Sequence, residues 1–276
     1  LKRFLNILTD LKIDPTNLII ERLGGGSLGN NSDLSPKDFI RFSKKDIKDD
    51  DTRGLINSLT NAKRAIDCQI DNALQEFGIK PDDLNKASDI LIKQLQLDKK
   101  NLPYKLKLIQ SLGLAPGTLT SKVRNLRNKL EHYYKIPEKA EVEEAIEIAE
   151  LFILSIESKT KILDDDYIIT STNFQNVDTL KSLNNETYNI LDPEHFSTQI
   201  RVNFISYYNQ IEVTPIKEFK KKRKLIYKFD NELYYYLIRL MNHLDDQYDT
   251  ENDLKLIFEY CNHPIPTKNI RLLEYY

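Results

Sequence analysis

The sequence predicts a mainly α protein, an antiparallel helical bundle followed by a smaller α+β module. Three observations predict it. Apolar residues recur at helical spacing up to about residue 163, after which alternating and aromatic-rich stretches take over. The helical part holds long stripes with recognisable starts and stops. The length of 276 residues suits about two domains of roughly 100–200 residues each.

In chain order, Phe4, Ile7, Leu8 and Leu11 form a first helical stripe, and Asp14-Pro15 restarts a helix running to Leu23. Gly24-Gly25-Gly26-Ser27 ends it, as a natural hinge or as a linker joining a separate piece. Residues 1–30 therefore read as a helical appendage. The bundle is expected over 31–163. Ser35-Pro36 is an N-cap and first-turn pair, and Asp49-Asp50-Asp51-Thr52 sets acids and a cap before a long helix. That helix is expected to bury Leu55, Ile56, Leu59, Ala62, Ile66, Ile70, Ala73, Leu74 and Phe77, with Gly78 as its stop. Helices near 81–97 and 102–112 follow. Thr118 or Thr120 opens the next, where Leu119, Val123, Leu126, Leu130 and Tyr133 step by three and four. Pro137 starts the last, with Val142, Ala145, Ala149, Phe152 and Ile156 on its core face.

Residues 164–276 form the mixed module, with Asp164-Asp165-Asp166 at its boundary. Tyr167 to Thr170 reads as a strand, and Gln199 to Ile216 is rich in β-branched and aromatic residues. Leu225–Phe229 and Glu232–Leu237 read as a hairpin about Asp230-Asn231, unless 232–243 packs by fours as a helix. Thr250 with Asp253 marks a final helix start.

A formal net charge of −2 excludes a protein that is basic all over, so nucleic acid would have to meet a local patch. The two cysteines, Cys68 and Cys261, form no CxxC, which fits a reduced, cytoplasmic setting without disulfide scaffold or zinc knuckle. No run of eighteen apolar residues marks a membrane span. Gly24 to Gly26 lacks the Lys-Ser or Lys-Thr of a phosphate loop. His195, His243 and His263 are dispersed, and Cys261-x-His263 has too few ligands for a metal. No cofactor or metal is expected.

The chemistry-bearing segment is Arg127-Asn128-Lys129-Leu130-Glu131-His132-Tyr133-Tyr134, an R-x4-H-x-Y pattern late in a helix. A guanidinium grips phosphate through a planar fork, and an imidazole titrates near neutrality and moves protons either way. Asn128 adds a neutral donor and acceptor beside them. Together with Asn61 to Asp67 on the long helix and the Pro-initiated helix from Glu141 to Glu150, these residues resemble the HEPN superfamily over roughly 52–160. These are small helical bundles found in prokaryotic toxins, defence proteins and some nucleases. The resemblance implies a metal-independent endoribonuclease acting as a toxin or defence effector. It also implies a homodimer in which Arg127, Asn128 and His132 of two copies share one cleft. Spacing adds a constraint: five residues of regular helix turn the side chain by about 500°, leaving Arg127 and His132 roughly 140° apart. Either the helix loosens near His132 or the pairing is between chains.

The plain alternative is that Arg127 and His132 favour the negative helix end, with Glu131 as a surface partner of Arg127. Many relatives of that fold only dimerise and dock partners, so a noncatalytic binding protein or the neutralising subunit of a toxin pair is the rival expectation. Tyr134 fits the modification position of an R-x4-H-x-Y subset, although packing of Tyr133-Tyr134 on the bundle is the simpler role. Asn61 and Arg64 are candidate neighbours of the site or of RNA. In the second module, Lys220, Lys221, Lys222, Arg223 and Lys224 form a run that attracts phosphate or sits as a solvated loop tip. RNA, a second copy and an antitoxin-like protein are thus the expected partners, with no membrane.

Overall fold

Residues Leu18-Ile19-Ile20, expected to be helical, instead form a buried strand, and this one change reorganises the chain. The computed structural model describes residues 2–22, 33–49, 51–80, 86–160, 166–171, 196–244, 246–264 and 271–274. It divides into a bundle unit, 28–84 with 92–161, and a sheet unit, 1–27 with 85–91 and 162–276. The first residues are therefore part of the second module rather than an appendage.

In the sheet unit, α1 (Lys2–Leu11) leads into β1 (Leu18–Arg22). Asp14 was expected to start a helix; its carboxylate instead accepts from Thr16 N (2.9 Å), Thr16 Oγ1 (2.7 Å) and Asn17 Nδ2 (2.7 Å), which folds a turn. Those bonds, that of Asn17 first, hold the Asp14 carboxyl below its ordinary pKa. A short apolar run buried on both faces carries no period that separates strand from helix, which is why β1 escaped the pattern. β2 (Asp166–Ser171), β3 (Gln199–Ile205), β4 (Gln210–Lys217), β5 (Lys220–Lys221), β6 (Leu225–Lys228) and β7 (Arg271–Glu274) complete the sheet. Its order is β5-β4-β3-β2-β1-β7, with β6 also on β4. The β1–β7 pair is parallel and the others antiparallel.

The expected second hairpin arm is α8 (Glu232–Asn242), the helical option. Asn231 caps it by accepting from Leu233 N, and Leu233 through Ile238 are all buried, so no alternation exists to hold a strand. α9 (Gln247–Tyr260) starts a turn before the expected Thr250, because Asp246 is the N-cap and accepts from Asp249 N. Asp253, 1% exposed, binds Arg239 Nε and His243 Nδ1 at 2.6 Å each, tying α9 to α8.

The bundle unit follows the expected stripes closely. α2 (Pro36–Asp46) opens with a capping box between Ser35 and Asp38. α3 (Thr52–Glu76) is capped by Asp51 through Gly54 N, and Gly78 stops it at φ 68°. Ser43 and Ser58 cross-bond between these helices, each hydroxyl reaching the other's carbonyl at 2.7 and 2.9 Å. α4 (Asp89–Gln94), whose first three residues are assigned to the sheet unit, and α5 (Tyr104–Ser111) are short. α6 (Gly117–Tyr133) starts at Gly117, one residue before the earlier of the expected Thr positions, and α7 (Lys139–Thr160) two after Pro137. Leu59, Ala62, Ile66, Ala73, Phe77, Val142, Ala149 and Ile156 are sealed at 0% exposure. Each larger side chain among them stabilises the bundle by about 1.5–3 kcal/mol. Among the described residues no helix is long and apolar enough to cross a membrane.

Candidate functional site

α6 carries the Arg–His segment, and its start is fixed by packing. A Cβ on Gly117 would stand 3.0 Å from Gln110 Oε1 and 3.1 Å from Leu102 Cδ1, a tight fit that these two side chains would have to yield to. Thr120 Oγ1 donates to Gly117 O, and Val123 is buried at 1% exposure. Further along, Leu126 and Leu130 are half-buried, and the seal ends there. Tyr134 closes the helix with φ 51°, a left-handed stop made without glycine.

The helix does not loosen before His132: α6 is continuous to Tyr133. At about 100° per residue, Arg127, Glu131, Arg124, Asn128 and His132 follow one another around an arc of about 140°. Asn128 and His132 are exposed. The Arg127 side chain lies outside the described residues. One chain's arc is thus open to solvent at its Asn128 and His132 side.

Tyr133 and Tyr134 are 77% and 87% exposed, which corrects the expectation that they pack on the bundle. The predicted stripe runs past the last packed turn, so its final member has nothing to lie against. Ile136 is exposed beside them at 57%, giving an apolar end to the α6–α7 connection. Asn61, half-buried, donates from Nδ2 to Asp46 Oδ2 at 2.8 Å, a tie between α3 and the end of α2. Arg64 remains exposed.

Asp67 and Asp71 belong to the polar row of α3 that lies away from its apolar stripe. Lys63, Asp67 and Asp71, with Tyr104 and Lys105 of α5 and Arg124 of α6, rim a cleft of about 500 Å³. Ile66, Ile70 and Leu106 line it too. Lys63 pairs with Asp67, and Lys105 with Asp71 at 2.9 Å. Arg124 joins this cleft to the polar arc, since Asn128 lies one turn further on the same face. Four-residue spacing on α3 was the available signal, but charge alternation there reads as an ordinary solvated face.

One bundle carboxyl is strongly displaced. Burial, and then the nearby Glu157, push Glu76 from its ordinary 4.5 up to about 7. Its Oε2 is buried with no hydrogen-bond partner among the described residues. Burial likewise raises the thiols of Cys68 and Cys261, both free. Among the described residues no three His, Cys, Asp or Glu side chains are grouped to hold a metal ion. His195 lies outside the described residues, and His243 is committed to Asp253.

In the sheet unit, Lys220, Lys221, Lys222, Arg223 and Lys224 are all exposed, on β5 and the segment leading to β6. Lys224 Nζ reaches Glu212 Oε1 at 2.7 Å. No family model matches the chain, and no curated protein or solved structure matches it.

Proposed function

We propose that the chain is a metal-independent endoribonuclease of HEPN type, working in the cytoplasm as a toxin or defence effector. Two copies would each supply Arg127, Asn128 and His132 to one cleft. What supports the reading is the open end of α6, where Asn128 and His132 are exposed on an unbroken helix beside the uncovered Tyr133, Tyr134 and Ile136. A second copy covering that apolar end would bring two polar arcs together.

The chemistry follows from the side chains. One His132 takes the proton of a 2′-hydroxyl, and the 2′-oxygen attacks phosphorus. The bond from phosphorus to the 5′-oxygen breaks, and the other His132 gives that oxygen its proton. The products are a 2′,3′-cyclic phosphate and a 5′-hydroxyl. Arg127 holds the charge that builds on the phosphorane, with Asn128 orienting phosphate or imidazole. Two histidines are required because one imidazole cannot hold both protonation states at once.

The rival reading, a noncatalytic docking protein or the neutralising half of a toxin pair, is favoured by the same exposed Tyr133 and Tyr134, which suit a protein surface as well as a second copy. Total RNA incubated in EDTA with wild type, His132→Ala and Arg127→Ala separates the two. Cleavage by wild type that falls by about 10²–10⁴ in the variants supports catalysis. Equal cutting by all three, or none by any, overturns it.

A further inference from the structure

Burial alternates in the middle of the outer strands of the sheet unit. Val202, Phe204, Ile211, Val213 and Tyr227 are buried, while Asn203 and Glu212 are half-buried and Ile226 is exposed. Directly paired residues share a face. Asn203 pairs with Glu212 and Glu212 with Ile226; Arg201 pairs with Thr214; Gln210 pairs with Lys228. On this second face Arg201, Asn203, Glu212 and Thr214 are half-buried, Ile226 and Lys228 are exposed, and Gln210 and Ile216 are buried at its ends; Arg201 Nε is buried there with no hydrogen-bond partner among the described residues. One solvated face is ordinary for an antiparallel sheet. What borders it is not.

Along its outer edge run the five consecutive cations and Lys228. Pro215 explains why they leave the ladder: its carbonyl accepts from Lys222 N at 2.8 Å, but it has no N–H to return, so β5 and β6 are separate strands with 222–224 between them. Among the described residues Lys224 pairs with Glu212, and Lys220, Lys221, Lys222, Arg223 and Lys228 form no ion pair.

Aromatic rings stand at both ends. Glu218 and Phe219 are the two central residues of the β4–β5 hairpin and take φ 51° and 62°, the backbone that usually selects Asn-Gly. A bulky residue at positive φ is strained, and Phe219 is 64% exposed, so burial does not offset the cost. The tip is held by Phe219 N donating to Ser197 O at 2.8 Å. At the β3–β4 turn, Tyr207 and Tyr208 are 85% and 62% exposed, with ring centroids 4.9 Å apart. The eight residues of β4 separate the two aromatic sites by about 24 Å.

We propose that this face and edge bind a single strand of nucleic acid, with phosphates on the Lys220–Lys224 run and Lys228 and bases stacked on Phe219 and on Tyr207 or Tyr208. Exposed rings set beside a cationic track are how single strands are held without sequence preference, whereas a duplex or a lipid surface offers no free base to stack. The site stands apart from the cleavage reading, since it holds a strand and does not cut it.

The test is fluorescence anisotropy on the full chain carrying His132→Ala, with a labelled 12-nucleotide oligouridylate, its deoxy counterpart, a 12-base-pair RNA duplex and phosphatidylserine vesicles. Both single strands should bind more tightly than duplex or vesicles, and the RNA and DNA arms report the preferred sugar. Phe219→Ala should weaken single-strand binding by about 5–100-fold and leave duplex binding unchanged. Lys220→Gln, Lys221→Gln and Lys222→Gln together should flatten the logarithmic salt slope by about 2. Phe219→Gly gives opposite signs, a higher melting temperature with weaker binding, because glycine relieves the turn. Binding unchanged in Phe219→Ala, or duplex or vesicles bound as tightly as single strands, reduces the site to a charged patch and overturns the proposal. Absence of binding to every nucleic acid at low salt overturns it too. Because binding is read in a cleavage-disabled chain, failure here leaves the nuclease assay untouched, and the reverse holds.

Discussion

Glu76→Gln should stabilise the bundle above neutral pH and do almost nothing at pH 5. Glu76 has an ordinary value of 4.5 and is raised to about 7 in the fold, first by burial and then by Glu157. Between those two values the folded chain keeps a proton that the unfolded chain has lost. Stability therefore falls as pH rises through this window and is flat on either side. Taken at full weight, roughly 2.5 pH units at about 1.36 kcal/mol each would give about 3.4 kcal/mol. Glu76 is only part-buried, and solvent screening reduces this to on the order of 1–2 kcal/mol. Glutamine keeps the shape and cannot ionise, so it removes the fall. Paired thermal melts of wild type and variant at pH 5 and pH 8, followed by circular dichroism, should coincide at the lower pH. At the higher one the variant should melt about 2–8 °C later. A variant destabilised at pH 8, or stabilised equally at both, would refute the desolvation argument and show that the carboxylate is paired when charged.

Two other substitutions test the packing in each unit. Asp253→Ala strips the buried carboxylate from Arg239 and His243 and should cost about 3–5 kcal/mol, read as an early melt of the sheet unit by hydrogen exchange at α8 and α9 amides. Gly54→Ala would ordinarily help a helix by about 1 kcal/mol, but its Cβ would stand 2.5 Å from the Asp46 carbonyl oxygen, so urea melts should show a loss of roughly 1–3 kcal/mol instead.

The bundle was legible because its helices are amphipathic, with one face for the core and one for water. Ser35, Asp51 and Gly78 do at the helix ends what their types suggest. β1 was not, because burial on both faces erases periodicity: Leu18, Ile19 and Ile20 are at 2% exposure or less. α8 hid for a related reason, its three successive tyrosines being buried all round. At the candidate site, the residue types of the Arg–His segment were readable while their neighbours were not. Asn61 looked like a free polar group on α3, but its partner is Asp46, fifteen residues away in sequence and visible only once α2 and α3 pack. Arg124 carries no such signal, because nothing in its local sequence says that α3 and α5 complete a cleft around it.

The strand that periodicity missed also explains the order of the chain. β1 and β2 are hydrogen-bonded neighbours, with Arg22 paired to Tyr167, yet the whole bundle sequence lies between them. Paired residues on adjacent strands are only about 5 Å apart, so the chain leaves the sheet and returns to it at nearly the same point. That is the geometry in which one domain can be inserted into another with little strain on the host, since the host sees a long hairpin loop. β1 lies between β2 and β7, so the sheet unit needs residues from before the insertion to close its own hydrogen bonds. A fragment beginning at residue 164 would lack that central strand and expose an edge on β2. The bundle, continuous apart from 85–91, has no such debt to the other unit's strands. The cleavage site proposed on α6 and the strand-binding face proposed on β3, β4 and β6 thus belong to separately built units of one chain, and each can be disabled by substitution without dismantling the other.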